Sequence, residues 1–278
     1  MGFRFANVAG RSSLVDDTGD YYDLEQITDG AVSSDPNVVL DDPDALTATQ
    51  GRLDDMTPVG TFDGADIRPP VTPRNVLAVG LNYADHVAES KMVTPTTPLV
   101  FTKFPSCIVG PNADVELRSA HADYEVELVV VIGRGGRDIA AGAAWDHVLG
   151  LTAGQDISDR ALQFAAKPPH FDLGKSRDTY GPLGPTLVSP DMFADPTDLA
   201  LTCAINGEVR QNSRTSNMIF SVADQIAYLS SIMTLAPGDI IFTGTPDGVG
   251  GPNGIFLQPG DVITSWVEGI GTLTNRCV

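Results

Sequence analysis

Residues 123–133 read Asp-Tyr-Glu-Val-Glu-Leu-Val-Val-Val-Ile-Gly. This segment is rich in β-branched residues, contains no proline and ends at a Gly-Arg-Gly-Gly turn signal, which together predict a β-strand. The run from Leu128 to Ile132 is apolar at every position, a pattern typical of a strand that is covered on both faces. We therefore expect this strand to lie in the interior of a sheet.

Two carboxylates share one face of the predicted strand. Side chains alternate along a strand, so Glu125 and Glu127 point the same way, with Cα atoms roughly 7 Å apart. Buried like charges cannot both stay ionised unless a positive group lies between them. Oxygen ligands suit Mg²⁺, Mn²⁺ or Ca²⁺, and Asp156, at the end of a later predicted strand, is a third candidate ligand. The alternative is a pair of exposed glutamates on an edge strand.

Composition excludes several classes of protein. The chain has 278 residues, 42% of them hydrophobic, which suffices for a substantial core. Its net charge of -19, from 17 basic and 36 acidic residues, argues against nucleic acid and anionic membranes as partners. The three cysteines lack metal-site spacing, and neither a membrane span nor a signal peptide is apparent, so we expect a cytoplasmic protein.

The pattern of predicted elements indicates an α+β, strand-rich fold with two domains. Short strand-like pieces and a weak helix near residues 43–54 predict a small N-terminal domain over residues 1–70. The proline-rich segment 68–74 predicts an extended linker, and residues 71–278 form the larger domain. There is no βαβαβ rhythm, which disfavours a doubly wound sheet. The main predictions there are strands at 75–81, 99–104, 114–117, 151–157 and 239–243, helices at 140–149, 158–166 and 221–233, and hairpins at Asn206-Gly207 and within 262–274.

Other candidate functional residues lie outside the central strand. His86 and Glu89 stand three residues apart in a predicted short helix, where the carboxylate could orient the imidazole as a base; an idle surface pair is the alternative. Arg160, Lys175 and Lys103 are basic residues in apolar surroundings, and each could face the metal or extend to the surface.

A glycine-rich loop follows the last predicted strand of the sheet. The segment Gly244-Thr-Pro-Asp-Gly-Val-Gly250 would allow close backbone approach to a ligand carboxylate or phosphate. It lacks the Lys-Ser/Thr ending of a phosphate-binding loop. Taken alone, the loop is a weak indicator of a ligand site.

Taken together and in this order, these residues resemble the fumarylacetoacetate hydrolase superfamily. The resemblance covers about residues 74 to 270 and rests on several separate motifs. These are Gly80-Leu-Asn-Tyr-Ala-Asp-His-Val-Ala-Glu89, Phe101-Thr-Lys-Phe104, Tyr124-Glu-Val-Glu-Leu-Val-Val-Val-Ile-Gly133, Asp156-Ile-Ser-Asp-Arg-Ala-Leu-Gln163, Gly174-Lys-Ser-Arg-Asp-Thr-Tyr-Gly-Pro-Leu-Gly-Pro185, Asn206-Gly-Glu-Val209 and Pro237-Gly-Asp-Ile-Ile-Phe-Thr-Gly-Thr-Pro246.

The resemblance implies a mixed β-sandwich roll that binds a small oxo acid and forms a homodimer, with Mg²⁺ or Mn²⁺ as cofactor and Ca²⁺ as a further option. It implies that Glu125, Glu127 and Asp156 bind the metal. The residues implied to be catalytic are His86, Glu89 and Lys175, and those implied to bind substrate are Arg160, Gln163, Thr245, Gly244 and Tyr83. One departure is that many relatives have Ser-Ala-Arg-Asp where this chain has Ser158-Asp159-Arg160-Ala161, a variant similar to members that act on 2,4-diketo-3-deoxy sugar acids.

The function implied is metal-dependent hydrolysis of a carbon-carbon bond in a 2,4-diketo acid, giving pyruvate or a related 2-oxo acid and a carboxylic acid. Decarboxylation of oxaloacetate and isomerisation of a 2-hydroxydiene dioate would use the same metal and enolate, so they stay open as alternatives. A non-catalytic metal-binding protein is the alternative from a different class.

Overall fold

The computed structural model describes residues 2–278 and has the strand-rich α+β fold that the sequence predicts. The strands are β1 (Arg4–Val8), β2 (Arg11–Val15), β3 (Asp20–Asp23), β4 (Gly60–Thr61), β5 (Ile67–Arg68), β6 (Val76–Gly80), β7 (Leu99–Lys103), β8 (Ile108–Val109), β9 (Ala122–Asp123), β10 (Val126–Ile132), β11 (Val148–Gln155), β12 (Ser158–Asp159), β13 (Gly181–Val188), β14 (Ala200–Ile205), β15 (Glu208–Arg214), β16 (Ile240–Phe242), β17 (Val262–Val267) and β18 (Gly271–Arg276). The α-helices are α1 (Leu24–Ile27), α2 (Pro36–Val39), α3 (Pro43–Gln50), α4 (Ala84–Ser90), α5 (Arg160–Gln163), α6 (Phe171–Gly174) and α7 (Val222–Ile232). Short 3₁₀ helices span Leu53–Asp55, Pro105–Cys107, Ala141–His147, Pro190–Met192, Thr215–Asn217 and Gly251–Asn253.

A large mixed sheet organises the fold, in the order β4-β3-β2-β1-β13-β11-β10-β16-β6-β7, with β5 beside β1 and β8 beside β13. Most neighbours are antiparallel, whereas β16 pairs with β6, and β13 with β8, in parallel. The central strand β10 lies between β11 and β16, which confirms its predicted interior position.

Both faces of β10 are buried, as its continuous apolar run predicts. Val126, Leu128, Val130 and Ile132 belong to one hydrophobic cluster, and Val129 and Val131 belong to a second cluster on the opposite face. Side chains alternate along a strand, so Glu127 shares the face of the second cluster. A carboxylate therefore enters the interior on a strand whose residues are all buried.

A smaller sheet, β15-β14-β17-β18, packs with α7 against the first cluster. The predicted hairpin between β14 and β15 is confirmed, with positive φ values of 54° at Asn206 and 82° at Gly207, as a type I′ turn requires. Helix α7 is also confirmed; Ser221 and Asp224 form a reciprocal capping box at its start.

The N-terminal strands continue the large sheet. Strand β1 pairs with β13, where Arg4 lies opposite Val188 and Phe5 opposite Leu187. Helices α1 to α3 contribute Leu24, Val39 and Leu46 to the second hydrophobic cluster. The division into domains at residue 70 stays a prediction.

Three local predictions are wrong. Residues 141–147 form a 3₁₀ helix instead of an α-helix, and Val148 already belongs to β11, because the backbone enters the sheet between β10 and β13. Residues 114–117 make only an isolated bridge, between Val115 and Cys277. The helix expected over 158–166 is limited to α5, since the two preceding residues pair with β9 as β12.

No helix within residues 2–278 is both long and apolar enough to cross a bilayer.

Candidate active site

The three predicted metal ligands converge at one end of β10. Glu127 lies in β10, Glu125 lies just before it, and Asp156 directly follows the neighbouring strand β11. One carboxylate oxygen from each residue lies within 4.8 Å of the others. Their exposed fractions are 4% for Glu125, 2% for Glu127 and 0% for Asp156, so the exposed edge-strand alternative is wrong.

Two glutamine side chains hold the backbone at this point. The N–H of Glu125 donates to Gln155 Oε1 at 2.9 Å, and the N–H of Val126 donates to Gln211 Oε1 at 3.0 Å. Because the side-chain amides replace strand partners there, the predicted single strand is divided into β9 and β10. Both glutamates still project into the same site.

Three cations surround the carboxylates unevenly. Lys175 Nζ donates to Glu125 and, at 2.8 Å, to Asp156. Lys103 Nζ donates to the other oxygen of Asp156 at 2.7 Å, and Arg160 Nη2 donates to Glu125 Oε1 at 2.5 Å. Glu127 instead accepts only from the backbone N–H of Gly244, at 2.7 Å. It is the member of the triad with no cationic partner among the described residues.

This asymmetry separates the pKa values of the two glutamates. Burial raises the pKa of Glu127 well above its usual range, and the neighbouring charges of Asp156 and Glu125 raise it further. Burial acts in the same direction on Glu125, but the charges of Lys175 and Arg160 outweigh it and lower the pKa of Glu125. A further positive charge beside Glu127 would allow the whole triad to ionise.

The triad fits a divalent cation. Its donors are three carboxylate oxygen groups, which suit Mg²⁺ or Mn²⁺, and one of them is buried without a charge partner. Glu125, Glu127 and Asp156 would hold the ion.

The predicted His86–Glu89 pair forms on α4. His86 Nδ1 lies 3.7 Å from Glu89 Oε2, and this buried nitrogen has no hydrogen-bond partner within residues 2–278. Glu89 Oε2 also accepts from the N–H of Gly248 at 3.1 Å. Burial acts to raise the pKa of Glu89, but the nearby His86 side chain and the hydrogen bonds from Gly248 and Asn253 outweigh it and lower that pKa. Glu89 is thus an ionised partner for the imidazole, anchored to the glycine-rich loop.

A cavity of about 380 Å³ joins these groups. Most of the predicted site residues line it, namely His86, Glu89, Glu125, Glu127, Arg160, Gln163, Lys175 and Thr245. The Thr245 hydroxyl donates to Val126 O at 2.9 Å and accepts from Gln211 at 2.8 Å, so its oxygen is already bonded within the protein.

Three predicted site residues lie behind the cavity wall. Asp156 does not line the cavity itself but bonds Lys175, which does. Tyr83 is fully buried, and its hydroxyl has no partner among the described residues. Gly244 has a φ of 105°, and a Cβ there would lie 2.7 Å from Asn82 Cβ. Its close approach is therefore to Asn82 of the same chain, while its N–H holds Glu127.

The model of the fumarylacetoacetate (FAA) hydrolase C-terminal family matches residues 75–278. The chain belongs to the fumarylacetoacetate hydrolase family.

Several members of the family are similar to this chain. The mitochondrial oxaloacetate tautomerase FAHD2A of Bos taurus is 44% identical over 238 residues, covering 84% of this chain and 76% of that protein. The structure of a Mycobacterium smegmatis protein matches with 44% identity and a TM-score of 0.90, covering 99% of both chains. The fumarylpyruvate hydrolase of Pseudomonas aeruginosa, solved with Mn²⁺ and pyruvate, matches with 32% identity and a TM-score of 0.69, covering 78% of this chain and 92% of that one. These named members of the family are enzymes. The cytoplasmic location of this chain stays a prediction.

Sequence reasoning missed Asp123, whose carboxylate holds Arg160 and the glycine-rich loop in place. Its carboxylate accepts from Arg160 Nε at 2.8 Å and from the N–H groups of Gly250 and Gly251 at 2.7 and 2.9 Å. Asp123 thereby ties the glycine-rich loop to the arginine. The only sequence signal was an acidic residue two positions ahead of the Glu-Val-Glu motif.

The departure from the family pattern has a structural role here. Asp159 caps α5 by accepting from the N–H of Leu162 at 3.1 Å, and it accepts from Arg177 Nε at 2.8 Å. It therefore positions the helix that carries Arg160 and Gln163.

Proposed function

We propose that this chain is a divalent-metal-dependent enzyme that hydrolyses the C3–C4 bond of a 2,4-diketo acid, an acylpyruvate. The observation that carries the proposal is that the His86–Glu89 pair lines the same cavity as Glu125 and Glu127 of the acidic triad. A base that can deprotonate water and a site that can hold an oxo acid therefore face the same substrate.

The reaction consumes one water and yields two acids. Water adds to the C4 carbonyl and gives up a proton, and the C3–C4 bond then breaks. Its electron pair stays on C3, giving the enolate of pyruvate, which takes up a proton to become pyruvate, while C4 leaves as a carboxylic acid. Bound to the triad, a divalent cation would supply the Lewis acid that stabilises this enolate.

The residues of the chain supply the proton transfers and the charge. His86 would take the proton of the attacking water, with Glu89 stabilising the imidazolium that forms. Gln163 Oε1 accepts from Arg160 at 2.9 Å, which leaves the amide N–H₂ of Gln163 as the group that donates to the anionic oxygen at C4. Lys175, buried beside Glu125 and Asp156, adds positive charge at the same end of the cavity.

A second candidate is the keto–enol tautomerisation of oxaloacetate. The 44% identity to a relative of that name favours it. The same base could move a proton between C3 and the enol oxygen without water. A cavity of about 380 Å³ favours a larger substrate, because enclosures of roughly this size hold ligands well beyond a four-carbon acid.

A product assay separates the two reactions. The Mg²⁺-loaded protein would be incubated with acetylpyruvate, benzoylpyruvate and oxaloacetate, and we would follow carboxylic acid release, enol absorbance and CO₂. Hydrolysis predicts one equivalent each of pyruvate and acid from the acylpyruvates, abolished by chelator. Loss of enol absorbance from oxaloacetate, with no acid release from either acylpyruvate, would instead select the tautomerase. Metal-dependent stabilisation with no turnover at all would indicate a metal-binding protein.

The homodimer implied by the resemblance stays a prediction.

A further inference from the structure

Three phenylalanines form a continuous apolar surface along the cavity, here called the phenylalanine wall: Phe101, Phe171 and Phe164. The ring centroids of Phe101 and Phe171 lie 5.6 Å apart, and those of Phe171 and Phe164 lie 6.2 Å apart, both edge to face. All three rings line the cavity.

The wall leads from the acidic triad to solvent. At its inner end, Lys175 Nζ lies 5.2 Å from the centre of the Phe101 ring, and the same ammonium bonds Glu125 and Asp156. At its outer end, Phe164 is 50% exposed. A ligand whose oxo-acid head reaches the triad would therefore lay the rest of its length against the rings.

The cations that line the cavity are poorly placed to receive a second carboxylate. Arg160 and Lys175 already bond the carboxylates of Asp123, Glu125 and Asp156. Among the described lining residues, Lys91 alone is a cation without a carboxylate partner, and it is exposed after the end of α4. A distal carboxylate lying against the phenyl rings would lose hydration and could pair only with Lys91, whose exposure to solvent keeps that ion pair weak.

We propose that the phenylalanine wall is a subsite for an apolar tail, so that the substrate is a 2-oxo acid with an alkyl or aryl group at its far end and a single carboxylate. This inference rests on the proposed function for the position of the oxo-acid head. It goes further by assigning the chemistry of the tail and by naming Phe164 as a specificity-determining residue.

Binding of straight-chain 2-oxo acids tests the wall without requiring turnover. Titration calorimetry on the Mg²⁺-loaded protein would compare 2-oxobutanoate, 2-oxohexanoate and 2-oxooctanoate, with 2-oxoglutarate as the dicarboxylate. Each methylene that is buried against the rings should tighten binding by about fourfold. 2-Oxoglutarate should bind more weakly than 2-oxohexanoate. Affinity that does not change with chain length, or that favours the dicarboxylate, would overturn the inference.

A matched pair of variants locates the effect. Phe164→Ala should reduce the ratio of 2-oxooctanoate to 2-oxobutanoate affinity by about tenfold, the contribution of between one and two methylenes. Phe104→Ala removes a ring that is 44% exposed outside the cavity and should leave the ratio unchanged. Equal ratios in the two variants would contradict the assignment of Phe164.

The outcome also separates this inference from the proposed function. Affinity that rises with chain length, together with no cleavage of any acylpyruvate, would retain the apolar subsite and refute the hydrolase. Cleavage of acylpyruvates with no chain-length dependence would retain the hydrolase and refute the subsite.

Discussion

Replacing Glu127 by glutamine tests the metal site through stability. Glutamine has the shape of a protonated glutamate, and its carbonyl can accept the Gly244 N–H that Glu127 accepts at 2.7 Å. Because burial and the charges of Asp156 and Glu125 raise the pKa of Glu127, the neutral amide also matches the form that the metal-free protein favours. We therefore expect Glu127→Gln and the parent protein to melt at similar temperatures without metal.

With metal the two proteins should differ. A ligand present at 100 times its Kd stabilises the folded state by about 2.7 kcal/mol, which raises the Tm of a chain of this size by about 5–10 °C. Loss of a residue that only supports a metal ligand weakens binding by about 10- to 100-fold, so loss of a ligand itself should cost at least ~100-fold. At the same Mg²⁺ concentration the variant would then gain only about 0.4 kcal/mol, or roughly 1 °C.

Differential scanning calorimetry over a range of Mg²⁺ concentrations measures both effects. Glu208→Gln is the matched control, because Glu208 is exposed and pairs only with Arg210 among the described residues. An equal Mg²⁺-dependent rise in Tm for Glu127→Gln and the parent protein would refute the role of Glu127 as a ligand.

Three further predictions follow from named contacts. His86→Ala should lower turnover by at least ~100-fold while keeping the Mg²⁺-dependent rise in Tm; an unchanged rate in steady-state kinetics would discard His86 as the base. Lys103→Met removes the 2.7 Å partner of one Asp156 oxygen and the donor to the carbonyls of Lys175 and Tyr180, while Lys175 still bonds the other oxygen of Asp156. Urea titration should therefore show a loss of about 3 kcal/mol, whereas the exposed Lys91→Met should show little change. Burial acts to raise the pKa of Asp23, but hydrogen bonds from Arg11 and from the N–H of Gln26 outweigh it and lower that pKa. Asp23 therefore stabilises the fold at pH values above the ordinary aspartate pKa, and this contribution is lost as the pH falls through the pKa of Asp23 in the folded protein. Asp23→Asn should therefore cost about 2 kcal/mol at pH 7 and progressively less below about pH 4; a constant difference across this range would contradict the assignment.

The parts of the fold that were predicted correctly depend on local chemistry. Strand β10 has a continuous apolar run, the β14–β15 hairpin has Asn-Gly at its turn, and α7 has a serine cap followed by apolar residues at helical spacing. The shared direction of Glu125 and Glu127 follows from strand alternation alone. The family motifs then connected these residues to Asp156, His86 and Glu89, which local pattern could not bring together.

The parts that were missed depend on residues distant in the chain. Helical composition at residues 140–149 was overridden because the backbone joins the sheet beside β10 and β13. The break before β10 depends on Gln155 and Gln211, which lie far along the sequence from Glu125. Likewise, the phenylalanine wall combines Phe101 of β7, Phe171 of α6 and Phe164, which directly follows α5. No spacing within the sequence indicates that these rings meet.

Anomalous diffraction from a crystal soaked with Mn²⁺ and oxalate, a stable analogue of the pyruvate enolate, tests the central claim most directly. We predict one manganese peak within about 2.2 Å of an oxygen of each of Glu125, Glu127 and Asp156, with oxalate completing its ligands on the cavity side. A triad without a peak, or a peak bound elsewhere while Glu127 keeps only its Gly244 partner, would contradict the account.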